Sequence, residues 1–94
     1  MINYENLKFF LRVSRIGIEL AGEVNSNNKV KEAAEDYSTG LSRNQQKILE
    51  QIKVMELELN LNPSLNNVKK NILKLERLMG CNIPSKAFNQ LNIN

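Results

Sequence analysis

Five cations stand late in the sequence, Lys69, Lys70, Lys74, Arg77 and Lys86, and beyond Leu65 only Glu76 opposes them. Phosphate is the chemistry such a set suits, because each ammonium or guanidinium that displaces a counterion from a nucleic-acid backbone adds affinity. Lys70, Lys74 and Arg77 gather on one side when positions are turned about 100° per residue, opposite an apolar stripe. An ordinary solvated helix face has the same pattern, so the cations alone leave both readings open. No aromatic residue interleaves with them, and a base-stacking platform is not indicated. The chain's net charge of +3 arises wholly in this part, since the residues before Leu65 are neutral or slightly acidic.

Other reactive types are sparse. The chain has no histidine, which removes the commonest general base and the commonest metal ligand together. Glu56 and Glu58 are two apart and point away from each other on a helix. Glu32, Glu35 and Asp36 share a helix face with Lys29 and Lys31 close by, which reads as a solvated face and not as an acid/base pair or a metal site. The glycines stand singly, with no phosphate-cradling spacing. The single Cys81 excludes an internal disulfide and reads as a small, half-buried residue after a helix end in a reducing compartment. We therefore expect no enzyme, no metal, no cofactor and no small-molecule substrate. Phe9-Phe10-Leu11 is interrupted by Arg12, so no signal-peptide layout is seen, and no apolar run approaches the roughly 20 residues of a membrane span. The expected location is cytoplasmic.

The elements that must position the cations form a helical hairpin. Leu41, Ile48, Ile52, Met55 and Leu59 make one stripe over residues 42–60. Leu65, Val68, Ile72, Leu75 and Met79 make another over residues 65–79, opposite Lys70, Lys74 and Arg77. Between them Pro63 stops the first helix and Ser64 suits the N-cap of the second, so the stripes are expected face to face in an antiparallel pair. Ser42 is the expected cap of the first arm, and Gly80 supplies the final stop.

Residues 4–24 give a further helix with two apolar stripes. Leu7, Leu11, Ser14, Ile18 and Ala21 form one, with Phe10 beside it; Phe9, Val13, Ile16, Leu20 and Val24 form the other. Only the arc of Lys8, Arg12, Arg15, Glu19 and Glu23 is polar, so this helix needs cover on two sides, from its own chain or from a partner. Asn25-Ser26-Asn27-Asn28 reads as a loop, residues 29–37 as a short helix through Val30, Ala33, Ala34 and Tyr37, and residues 85–91 as a last turn through Phe88 and Leu91. Fifteen asparagines, poor helix formers, fall mostly at these ends and loops. The fold class is all-α, a single domain over residues 1–94 built as a small bundle of four helices with a central antiparallel hairpin and a short C-terminal turn.

Leu57, Leu61, Ser64, Val68 and Ile72 also fall near the apolar and capping positions of a helix-turn-helix. Glu58 at a position that must be small, and Pro63 after the turn, argue against that motif. A second pattern runs through Asn62-Pro63-Ser64, Ile72, Leu75, Leu78, Gly80, Ile83-Pro84-Ser85-Lys86 and Leu91. It resembles the C-terminal region of a family of phage small terminase subunits, with an Asn-Pro helix start, a helix ending in Leu-Gly and a Pro-Ser segment followed by a basic residue. The usual arginine is represented only by Lys86, and residues 1–40 match nothing in the family. The resemblance implies a non-enzymatic, ring-forming subunit that recognises viral DNA and passes it to a large ATPase subunit. Small bacteriocin-immunity proteins also end in a long helix and a Pro-led turn.

Two functions follow. One is a self-associating DNA-binding accessory protein of a phage or mobile element, with Lys69, Lys70, Lys74, Arg77 and Lys86 on phosphate and Phe9, Val13, Ile16, Leu20 and Val24 between copies. The other is a helical inhibitor or immunity-type protein that uses the same α-helical stripe on a protein partner.

Overall fold

A computed structural model describes residues 2–29 and 40–84, which form three α-helices: α1 over Tyr4–Lys29, α2 over Arg43–Leu61 and α3 over Leu65–Met79. No strand occurs among the described residues, and the chain is all-α. Among the described residues there are three helices of the four expected. The expected helix over 29–37, beyond Lys29 itself, and the turn over 85–91 lie outside the described residues, as do Glu32, Glu35, Asp36 and Lys86.

The ends of the helices follow from local chemistry. Asn3 opens α1, its side-chain Oδ1 accepting from the Asn6 amide at 3.1 Å while its carbonyl accepts from the Leu7 amide at 3.0 Å. Ser42 opens α2 in a reciprocal box: its Oγ accepts from the Gln45 amide at 3.1 Å, and the Gln45 side chain accepts from the Ser42 amide at 3.0 Å. Ser64 holds the corresponding place before α3, yet its side chain makes no capping bond. Gly80 ends α3 in the left-handed region, with φ of 74°, and its amide donates to the Glu76 carbonyl at 2.9 Å.

The expected loop at Asn25-Ser26-Asn27-Asn28 is instead the last turn of α1. No proline or glycine interrupts residues 23–29. An asparagine costs a helix only about 0.7 kcal/mol relative to alanine, too little to halt a helix already six turns long.

α2 is the middle helix, with α1 packed on one side and α3 on the other. Leu7 and Leu11 of α1 meet Ile52, Met55 and Leu59 of α2 and Val68, Ile72 and Leu75 of α3 in one buried cluster, closed by Ile83 beyond α3. Phe10, Ile18, Ile48 and Met79 pack around it, partly buried. α2 and α3 run antiparallel along their length: the Asn44 side chain donates to the Leu78 carbonyl at 3.2 Å near one end, and Gln51 donates to Asn71 Oδ1 at 3.3 Å further along. Helices held side by side in this way do not make the steep crossing of a helix-turn-helix.

Replacing Leu75, which is fully buried, by alanine should cost about 2–5 kcal/mol and show as a lower urea midpoint. Gly80→Ala should cost about 1 kcal/mol, from backbone strain alone, since a Cβ there meets nothing within 4 Å. In a domain of this size that lowers Tm by about 4–8 °C.

Candidate functional site

Helical spacing sorts the four described cations of α3 into two groups. Lys70, Lys74 and Arg77 lie together on the face turned away from the core, whereas Lys69 is rotated away from them by about a quarter turn, with Leu73 between. A shallow polar groove shows the same sorting: Lys70, Lys74 and Arg77 line it with Asn62, Asn67, Asn71 and Glu58, and Lys69 does not. All four cations are exposed, and none has a carboxylate within ion-pair distance among the described residues.

Asn67 and Asn71 of this groove were not singled out in the sequence, although Asn67, Lys70, Asn71 and Lys74 recur at the spacing of a single helix face. Asn71 is the organising residue. Its Nδ2 donates to Glu58 Oε2 at 2.7 Å, and its Oδ1 accepts from Gln51 Nε2 at 3.3 Å, so one side chain joins two places on α2. This contact fixes how α3 is rotated against α2 and therefore which way its cations point. Glu58 is thereby engaged, and Glu56 on the other side of α2 is engaged as well. It accepts from Arg15 Nε at 2.7 Å, while the Arg15 guanidinium also reaches Glu19 at 3.2 Å. The hydrogen bond and charge of Glu56, with a smaller part from Glu19, raise the Arg15 pKa above its ordinary value. Glu56 and Glu58, two positions apart, thus hold different helices to α2 and share no site. Among the described residues no group of three or more acidic, cysteine or histidine side chains is placed to hold a metal. No described helix is long and apolar enough to cross a membrane.

The second surface is on α1. Phe9, Val13, Ile16, Leu20 and Val24 are all between 44% and 66% exposed, so the stripe left over by the core faces outward along most of the helix. Beside it Phe10, Ser14, Gly17, Ile18 and Ala21 form one wall of an apolar groove that continues over Ile48 and Ile52 to Leu75, Met79 and Cys81. Cys81, expected to be half-buried, is exposed.

Asn71→Ala should cost about 1–2 kcal/mol in urea unfolding, because it leaves the partly buried Glu58 carboxylate without its donor. Glu58→Gln should cost less, since the amide oxygen still accepts from Asn71. No protein-family model matches the chain, and neither a curated protein nor a solved structure matches it.

Proposed function

We propose that this protein is a non-enzymatic DNA-binding accessory protein, small-terminase-like and of phage or mobile-element type, which associates with itself through α1. The observation that carries the reading is the set of exposed cations on α3, Lys70, Lys74 and Arg77 together and Lys69 to one side, with no carboxylate partner among the described residues. On an ordinary solvated face, Lys and Arg commonly find a Glu three or four residues away, as Lys8 finds Glu5 and Arg15 finds Glu19 on α1. Glu76, the one acid within α3, is instead turned to the backbone, its Oε2 accepting from the Ile83 amide at 2.8 Å. Charge left free in this way is available to phosphate. Asn67 and Asn62 beside the cations add neutral donors of the kind that fix register on a nucleic-acid backbone.

The resemblance of residues 62–91 to small terminase subunits supports the same class. Its described residues, among them Ile72, Leu75, Gly80 and Ile83, are ones that fold the hairpin and its end, so the likeness concerns architecture more than ligand contact. A second reading, an inhibitor or immunity-type protein that grips a protein partner, is favoured by the exposed stripe on α1.

Binding to a short duplex, followed by fluorescence anisotropy, should weaken steeply with salt. Replacing Lys70, Lys74 and Arg77 by glutamine should lower the slope of log K against log salt by about 2–3 while leaving helicity unchanged. A chain that takes up no duplex even at low salt would sink the DNA reading in favour of the protein-partner one.

A further inference from the structure

The exposed stripe of α1 is symmetric about its own middle. Counting outward from the bond between Ile16 and Gly17, the positions Ile16, Val13 and Phe9 on one side are matched at equal intervals by Gly17, Leu20 and Val24 on the other. Phe9, Val13, Ile16, Leu20 and Val24 lie on the side of α1 turned away from Leu7 and Leu11, and Gly17 lies at its edge, where the apolar groove begins. Laid against an antiparallel copy of itself on a two-fold axis at that bond, the helix sets Phe9 opposite Val24 and Val13 opposite Leu20. Close to the axis it sets Ile16 beside Ile16 of the other copy on one flank and Gly17 beside Gly17 on the other.

The central contact has a shape that suits it. Gly17 is exposed, and a Cβ built on it meets nothing within 4 Å in its own chain, so the missing side chain leaves a gap that opens outward. A glycine within an exposed helix costs about 1 kcal/mol relative to alanine, and packing inside this chain gives no reason for it. In the antiparallel pair the two gaps face each other across the axis, so the helices can approach closely there. Ser14 and Ala21, on the same flank as Gly17, are also small and allow the two backbones to approach.

The charges select the direction. Arg12 and Glu23 lie on the other flank of the stripe, both exposed and neither in an ion pair among the described residues. In an antiparallel pair like flank meets like flank, so Arg12 of each chain comes alongside Glu23 of the other. A parallel pair would set this charged flank against the apolar flank of Phe10, Ser14 and Ala21. Taken at their exposures, the five apolar side chains of two copies present roughly 1,000 Å², which reaches the lower bound for a specific interface.

We propose that α1 pairs with α1 of a second copy in an antiparallel, two-fold dimer, with Gly17 facing Gly17 at the axis and reciprocal Arg12–Glu23 ion pairs. The proposal rests on the self-association in the proposed function and specifies its geometry. In such a dimer the two α3 faces are related by the two-fold axis, so each chain presents its cations to a separate stretch of phosphate.

The test is the solution mass by light scattering over a range of concentrations, with no DNA present. The unmodified chain should show twice its 10.8 kDa mass. Arg12→Glu and Glu23→Arg should each weaken the dimer about tenfold, through like charges facing across the axis. An equimolar mixture of the two variants should regain the original affinity, because in the mixed pair every contact again joins opposite charges. Gly17→Met, a good helix former with open space around it, should keep its helicity and become a monomer. The proposal is overturned by a wild-type chain that stays monomeric at concentrations on the order of 100 µM, which would leave the stripe to a different protein. It is equally overturned by a mixture no stronger than its components, or by a dimer that tolerates Gly17→Met. Anisotropy with duplex, run beside it, separates the two claims: a monomer that still takes up DNA removes only the dimer, and a dimer indifferent to DNA removes only the phosphate reading.

Discussion

The structure depends on the apolar side of α2 being covered from both flanks. Ile52, Met55 and Leu59 are nearly inaccessible to water. α3 reaches them with Val68, Ile72 and Leu75, and α1 with Leu7 and Leu11. Each of these side chains contributes about 1.5–3 kcal/mol on leaving water, and for a chain of 94 residues such contributions decide whether it folds. The polar contacts are fewer and act on orientation. Glu56 ties α2 to α1 through Arg15, and Glu58 ties it to α3 through Asn71, so the two sides of the middle helix are marked by different partners.

This arrangement has a consequence for the surface. A helix that covers only one side of its neighbour buries a single stripe of its own, and α1 carries two. The outer stripe is left to water in the single chain, which is unfavourable for side chains as large as Phe9, Ile16 and Leu20. The cations of α3 and the outer stripe of α1 each lie on the side of their helix turned away from the shared core.

How much of this was legible in the sequence depends on the distance over which each feature is decided. The stripes of α2 and α3, the cap at Ser42 and the stop at Gly80 rest on residues within four or five positions of one another, and periodicity together with side-chain chemistry exposes them. The end of α1 misled, because a run of asparagines looks like a loop although no single one of them is strong enough to break a helix. The separation of Lys69 from Lys70, Lys74 and Arg77 was also within reach of a helical count. The bond from Asn71 to Glu58 was not, since it needs the relative rotation of two helices.

The sequence by itself determined that the chain is helical, which sides of α2 and α3 turn inward, and that its positive charge is concentrated beyond Leu65. These are short-range properties, set by a 3.6-residue repeat and by the order of the residues. Tertiary structure alone decided which of the two stripes of α1 enters the core, because both are apolar and a helix in isolation has no inside. Leu7 and Leu11 were taken, and Phe9, Val13, Ile16, Leu20 and Val24 were left outside. The hairpin has only one apolar side to cover, and a single straight helix laid across it can bury only one of its own.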